Sequence, residues 1–339
     1  MGFRNAYCSV PGKLMIGGEY SVLLPGGVSL AMAIEDRLTV SVRPGNVDMV
    51  HSSALGLDGV SPERTDALCY VKESLNALRA VYQLPPLEIH IEGTMGQLPD
   101  GNKLGLGSSS AVCVGLVGAC LRWIGETVPD TTNWFELAHK AHSTAQGKLG
   151  SGYDVITQIQ GGVVVYRRLN DGVDTPLWET PSQWQTSRAQ MPKDLWWSVL
   201  FSGRGASTRR LVQQTFNHPA TQSHLERMRR LTTRLVDVWQ HGNVDEILHS
   251  IDETQTAFEV WGAEVGGAVF PAAVQTLCEV VRAQGAVPRI SGAGGGDCIL
   301  VFAPKKAILE SALSCAAEFG GKPVSLSLAG VGARAWCVD

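Results

Sequence analysis

The sequence predicts an α+β protein in two domains, and three observations carry that prediction. Its 339 residues suit two domains of ordinary size. Alternating β-branched runs and helically spaced apolar runs both recur, without the strict strand–helix alternation of an all-parallel sheet. Residues 170–193 are rich in Asp, Pro, Thr, Gln and Ser, the composition of an inter-domain connection.

From the N-terminus, "AYCSVPGKLMIGGEYSVL" reads as a strand, a Pro-Gly turn and a second apolar segment. Residues 28–42 alternate as strands. The next stretch places Leu68, Val71, Leu75, Leu78 and Val81 at helical spacing, with Ser61 and Pro62 as start signals. "PLEIHIEGTM" alternates as a strand. Residues 103–123, "KLGLGSSSAVCVGLVGACLRW", give a glycine–serine loop that runs straight into an apolar helix, and "WFELAHKAHSTAQG" gives another helix. "GGVVVYRRL" and "LWWSVLFSG" are strands. Helices are expected through "STRRLVQQTF", "SHLERMRRLTTRLVDVWQHG" and on to about residue 283. "AVPRISGAGGGDCILVFAP" closes the pattern as strand, glycine loop, strand. No internal repeat is evident.

Composition narrows the function classes. A net charge of -4 offers no basic footprint for nucleic acid. The arginines of "RMRRLTTR" read as a solvated helix face. No run of about 18 apolar residues is long enough for a membrane span, and the first residues lack the apolar core of a signal peptide. The eight cysteines are scattered, with no CxxC pair, which fits reduced thiols and a cytoplasmic setting.

The loop at Gly105–Ala111, "GLGSSSA", carries the chemistry. N–H groups at a helix start have no intrahelical partner, and with the helix dipole they form an anion site. Glycines let the backbone approach the anion, and serine hydroxyls add donors to phosphate oxygens and ligands for Mg²⁺. The same residues also fit a plain serine N-cap after a tight turn. The loop is not a P-loop: Gly12-Lys13, Gly147-Lys148 and Gly321-Lys322 are each followed by a residue other than Ser or Thr. "GAGGGD" at 292–297 is not a dinucleotide fingerprint either, because Asp297 stands where the third glycine belongs and a strand follows. Four glycines in five positions indicate a backbone that passes close to something. "ELAHKAH" puts Glu136, His139 and His142 on one helix face, read as a helix surface or interface.

Together, "PGKLMIGGEYSVL" (residues 11–23), "GLGSSSA" and "SGAGGGDC" (residues 291–298) resemble the three motifs of the GHMP kinases, in that family's order and spacing. The phosphomevalonate kinase branch is the most similar: "GEY" in the first motif, "GGGDC" in the third, "AQGKLGSGYDV" and "FSGRGASTRRLV" all resemble it. Arg289 stands where a lysine is usual before the third motif, and "VITQIQGG" replaces a more alanine- and serine-rich run. These departures bear on the acceptor more than on the kinase chemistry.

The resemblance implies an N-terminal α/β nucleotide-binding domain, residues 1–185, and a ferredoxin-like C-terminal domain, residues 186–339. It implies ATP and Mg²⁺ as cofactors and a small anionic molecule as partner, with neither nucleic acid nor membrane, in a monomer or homodimer. Lys13 and Asp154 are the implied catalytic pair. Gly105, Leu106, Gly107, Ser108, Ser109 and Ser110 are implied to hold the nucleotide, with Ser109 on the metal. A glutamate that mevalonate kinases carry eleven residues before the aspartate is Ser143 here. Acceptor contacts are expected from Lys13, Glu19, Tyr20, Ser151, Gly152, Arg204, Ser207, Thr208, Arg209, Arg289, Gly294 and Gly295. Arginine forks suit a carboxylate and a phosphate. For Glu19 a structural role, holding its loop or pairing with Lys13, stands beside the catalytic one.

Overall fold

A computed structural model describes residues 5–98, 100–125, 130–147, 150–169, 183–203, 211, 214–215, 218–296 and 298–338. Two sheets organise them. The first has eight strands, in the order β12-β1-β2-β5-β3-β4, with β6 on the near half of β2 and β7 on β6. Its members are β1 (Asn5–Gly17), β2 (Val28–Pro44), β3 (Met49–Ser52), β4 (Leu57–Val60), β5 (Leu87–Glu92), β6 (Val163–Arg168), β7 (Trp184–Ala189) and β12 (Arg334–Val338). β3 and β5 run parallel and the other pairs antiparallel.

The second sheet has the order β11-β8-β10-β9, antiparallel throughout, from β8 (Trp196–Phe201), β9 (Val287–Ile290), β10 (Cys298–Ala303) and β11 (Lys322–Val324). Helix α7 (Ala272–Ala283) precedes β9 and helix α8 (Lys306–Glu318) joins β10 to β11. This is the β-α-β-β-α-β order of a ferredoxin-like unit, with α5 (Pro219–His241) and α6 (Val244–Glu264) added in its first crossover. The mixed α and β architecture agrees with the expected fold class.

β1 differs from the sequence expectation. "SVPGKLM" is one strand, not two segments around a turn. Its register against β2 slips between Pro11 and Gly12, from Arg37 to Ile34. Proline has no N–H to give the ladder, so a bulge accommodates it. The bend carries Lys13 toward the serine loop, whose Leu106 C=O accepts from the Lys13 N–H (2.9 Å).

The first helix also starts later than its sequence signals. Short 3₁₀ turns fill Pro62–Arg64 and Asp66–Leu68, and α1 spans Cys69–Arg79. Thr65 between the turns is extended (φ -153°) and its side chain accepts from the Ala67 N–H, which holds the helix off. Leu68, Val71, Leu75 and Leu78 are buried as spaced, whereas Val81 lies past the helix end and is exposed.

Residues 170–193 are not all connection. Residues 170–182 lie outside the described part, but β7 within the stretch pairs with β6 from Trp184 to Ala189. Its side chains alternate between half-buried and exposed over most of its length, as an edge strand allows despite polar composition. β7 therefore crosses residue 185. At the far end, Ala329 N–H donates to Ala33 C=O (2.9 Å) and β12 pairs with β1, so the terminal segment lies on the first sheet.

One apolar core spans both sheets. Val199, Phe201, Cys298, Leu300 and Phe302 join it from one face of the second sheet. The alternate residues Leu200, Ile290, Ile299 and Val301 pack into a second cluster with Phe258, Trp261 and Leu277. Both faces of β10 are thus covered, and all six of its residues are buried. No helix among the described residues is long and apolar enough to cross a membrane.

Candidate active site

The serine loop opens helix α2 (Ser108–Trp123). Gly107 caps it in the left-handed region (φ 82°), where a β-carbon would lie 2.8 Å from Lys13 Cε. Glycine is therefore required twice over, by conformation and by space. The first intrahelical bond runs from Ala111 N–H to Gly107 C=O (3.0 Å). The N–H groups of Ser108, Ser109 and Ser110 precede it and have no intrahelical acceptor, which leaves three donors at the helix entrance. The three hydroxyls are not equivalent. Ser110 is buried and its Oγ donates to Gly107 C=O (2.9 Å), whereas Ser108 and Ser109 are half-exposed. Gln158 Nε2 donates to the same carbonyl (3.0 Å) and fixes the turn. Gly105 is exposed and Leu106 is buried beneath the loop.

Lys13 reaches this loop from β1. It is 8% exposed, and its Nζ donates to Gly105 C=O (3.1 Å) and lies 5.7 Å from the centre of the Tyr153 ring. Its ammonium charge opposes protonation of His142 and favours ionisation of Tyr153, although burial dominates both groups: it pushes the imidazole down and the phenol up.

Asp154 lies in the first turn of α4 (Tyr153–Gln160), which Gly152 caps at φ 86°. A β-carbon on Gly152 would sit 2.9 Å from Phe135 Cζ, so its role is close packing. Ser151 is buried and its carbonyl accepts from Tyr166 Oη (2.9 Å). Asp154 Oδ1 accepts from the Val155 N–H (2.9 Å), and Oδ2 lies 3.6 Å from His142 Nδ1.

His142 comes from α3 (Thr131–Ala145). Its Nε2 is 3.4 Å from Ser109 Oγ and 3.1 Å from Gln146 Nε2. It thus stands between the aspartate and the serine loop. His139, one turn earlier, is fully buried; burial pulls its pKa down to about 4. Glu136 is exposed, so the two histidines turn inward from the face they were expected to share with it. His142 and Tyr153 were not among the expected site residues. The available signal was "HSTAQG", a His and a Gln one turn apart, upstream of the aspartate.

The third motif is tied to the other two by hydrogen bonds. Ser291 Oγ accepts from the Met15 N–H (2.8 Å), and the Cys298 thiol donates to Leu104 C=O (3.0 Å). Tyr20, at a positive φ of 55°, donates its hydroxyl to Ala293 C=O (2.8 Å) and sets its ring edge-on to Trp261. The glycines pass close to Val269: Gly295 N–H donates to its carbonyl (2.7 Å), and a β-carbon on Gly294 would lie 2.4 Å from the same oxygen.

Arg289 and Glu19 form an ion pair with both side chains fully buried. Arg289 also donates to Ile16 C=O (2.8 Å) and Gln255 Oε1 (3.0 Å). Burial pushes the Glu19 carboxyl up, against the pull of Arg289. Arg289 was expected to touch the acceptor, and Glu19 either to touch it or to hold its loop, with Lys13 as partner; the buried pair gives Glu19 the structural place, with Arg289 in place of Lys13, between β9 and the end of β1. Arg204, Ser207, Thr208 and Arg209 lie outside the described residues, as does Asp297.

A cavity of about 240 Å³ opens beside the serine loop. Its apolar wall includes Ala54, Leu55, Leu68 and Val112, and Tyr70, Lys103, Ser108 and Ser109 line its polar side.

Residues 69–162 match the family model for the GHMP kinases N terminal domain. The chain is 29% identical over 340 residues to the phosphomevalonate kinase of Streptomyces sp. (strain CL190), covering 88% of this chain and 89% of that one. It is 26% identical over 348 residues to the mevalonate kinase of Aeropyrum pernix, covering 98% of each. Among solved structures it is similar in fold to Streptococcus pneumoniae phosphomevalonate kinase in complex with phosphomevalonate and AMPPNP, with a TM-score of 0.78 and 21% identity over 95% of this chain and 99% of that one.

Proposed function

We propose that this chain, with its GHMP kinase N-terminal domain, transfers the γ-phosphoryl group of ATP to phosphomevalonate, making diphosphomevalonate in the mevalonate route to isoprenoids. The observation that carries the reading is the meeting of Lys13, the uncapped N–H groups of Ser108–Ser110, and the Asp154–His142 pair around one loop. Phosphoryl transfer needs positioning and charge neutralisation more than covalent help. This site supplies both.

The nucleoside lies in the apolar cavity beside the loop and the phosphates on the helix N-terminus. An acceptor phosphate oxygen attacks the γ-phosphorus, a new P–O–P bond forms, and the bond to ADP breaks. The acceptor is already ionised near neutral pH, so no proton must leave it. Lys13 neutralises the oxygens shared by donor and acceptor. Asp154 orients the acceptor, and His142 stands between it and Ser109, with its Nδ1 3.6 Å from the carboxylate. Mg²⁺ suits the hard oxygens present, the Ser109 hydroxyl and the Asp154 carboxylate, and supplies further charge neutralisation on the phosphates. Ser151, Gly152, Gly294 and Gly295 shape the acceptor side through their backbone. The resemblance also assigns anionic acceptor contacts to Arg204, Ser207, Thr208 and Arg209, which lie outside the described residues.

The second reading is transfer to a hydroxyl, as in a mevalonate kinase. It is favoured by the presence of a carboxylate, Asp154, of the type that serves as a general base, and by the similarity to mevalonate kinases. Product analysis by phosphorus NMR separates the two. A new phosphoanhydride signal with phosphomevalonate is expected. A phosphomonoester from mevalonate would favour the second reading, and ATP turnover with neither would reject both. Lys13→Met should lower kcat steeply with ATP binding largely kept. Asp154→Asn should cost about 10²–10⁴ in single-turnover rate for a hydroxyl acceptor and less for an ionised phosphate. Wild-type rates in both variants would remove the proposed site.

A further inference from the structure

The outer face of the first sheet carries a cluster that the kinase reading does not use. His51 on β3 and His90 on β5 are register partners on parallel strands, with their rings stacked 4.5 Å apart at 8°. Glu88 lies two residues before His90 and so shares its face. His90 Nε2 is 3.1 Å and His51 Nε2 is 3.6 Å from the same oxygen, Glu88 Oε1, and one donor atom from each of the three residues falls within 4.8 Å of the others. We propose that His51, Glu88 and His90 bind one divalent transition-metal ion of the kind that imidazole favours, with Zn²⁺ as the reference.

Donor spacing fits. Ligands at roughly 2.0–2.2 Å around a tetrahedral zinc stand about 3.3–3.6 Å from one another, and the two measured separations bracket that range. The protonation pattern fits as well. His51 Nδ1 lies 2.7 Å from Asp58 Oδ1, a fully exposed carboxylate that can accept from a proton-bearing Nδ1. The Gly59 N–H approaches the same nitrogen at a longer 3.2 Å. In the tautomer with the proton on Nδ1, toward Asp58, the Nε2 lone pair faces Glu88 Oε1 and is open to a metal ion. Asp58 is then the outer carboxylate that orients a metal-binding imidazole. Once the two rings turn out of their parallel stack so that both Nε2 lone pairs meet at one ion, two imidazoles and one carboxylate leave a fourth position for water.

Arg43 is the built-in competitor. Its guanidinium hydrogen-bonds to Glu88 Oε1 and is half-exposed, so it is free to swing away. The ion would clip β3 to β5. Ser52, Ala54 and Leu55 follow His51 and line the 240 Å³ cavity, as do Ile91 and Gly93 beyond His90. Metal at the outer face thus stiffens one wall of that cavity. This does not depend on which acceptor the enzyme uses.

The test is calorimetric titration of chelator-treated full-length protein with Zn²⁺, paired with thermal unfolding. One equivalent should bind. His51→Ala and His90→Ala, which remove ligands outright, should each weaken binding by at least the roughly tenfold that losing an outer-shell partner costs. Glu88→Gln, which keeps the shape, should weaken it likewise. Arg43→Gln keeps every ligand and should tighten binding several-fold, a change that a merely misfolded surface does not produce. Saturating Zn²⁺ should raise the Tm of wild type and not of the His51→Ala/His90→Ala double variant. Retention of the bound equivalent in that double variant, as by one of the eight cysteines, would overturn the proposal. So would the absence of any Zn²⁺ binding to wild type.

Discussion

His139 shows how a single side chain links the site to pH. It stacks on Phe135 and its Nε2 lies 3.2 Å from Gly150 C=O, with no exposure to water. Burial holds its pKa near 4 in the folded protein, against an ordinary value near 6.5. The unfolded chain therefore takes up a proton that the folded chain refuses as pH falls from about 6.5 to 4. Stability is fully present above that window and is lost through it, by on the order of 2 kcal/mol at pH 5. His142 is pushed the same way by its burial. Urea midpoints should thus be lower at pH 5 than at pH 7.5, and His139→Gln should flatten the difference; an unchanged pH profile would contradict a neutral buried imidazole.

The serines divide at the same scale. Ser110→Ala removes a buried hydrogen bond to Gly107 and should cost about 1 kcal/mol of stability, with little change in the KM for ATP. Ser109→Ala should do the reverse, weakening ATP use roughly 10- to 100-fold if its hydroxyl meets the charged phosphates. The sequence counts Ser110 with Ser108 and Ser109 among the nucleotide contacts. Only the packing of α2 decides which hydroxyls face the site.

At the scale of an element, α2 explains why a helix should contain glycines. Gly115 and Gly118 lie where β2 and α3 press closest: added β-carbons would stand 2.5 Å from Val40 Cγ2 and 2.2 Å from Trp134 Cζ2. Gly118→Ala gains about 1 kcal/mol of helix propensity and meets an overpacking cost of about 1–3 kcal/mol. Net destabilisation is expected, read as a lower Tm with the helix content retained. Gly107→Ala at the other end should act on chemistry, because the new methyl displaces the Lys13 stem. Its kcat should fall with that of Lys13→Met, and a wild-type kcat would show that Lys13 can move without consequence.

Across the whole molecule, the Arg289–Glu19 pair joins the ferredoxin-like sheet to the end of β1, beside the Tyr20–Ala293 and Met15–Ser291 bonds. A buried charge left without its partner costs about 3–5 kcal/mol. Arg289→Ala and Glu19→Ala should each destabilise by that order. The double variant should cost much less than their sum, with a coupling above about 1 kcal/mol. Additive losses in denaturant unfolding would mean that the two groups act separately. Because the pair is fully buried, its removal should act on acceptor KM only through displacement of the third motif.

The sequence by itself determined the element types, the serine loop as a helix entrance, and the order of three motifs across the chain. Those properties depend on local conformation and on apolar spacing, which neighbouring residues record. Tertiary structure decided the rest. Pro11-Gly12 looks like a turn locally but becomes a bulge because β2 continues alongside it and Leu106 receives the next N–H. The polar stretch before residue 190 contains a strand because β6 offers it an edge. Arg289 reads as an acceptor contact, and Glu19 as an acceptor contact or a partner for Lys13, yet 270 positions apart in the chain they are buried against each other. His142 entered the site for the same reason. A side chain's partners across the fold are set by where distant strands and helices pack, and no local spacing carries that information.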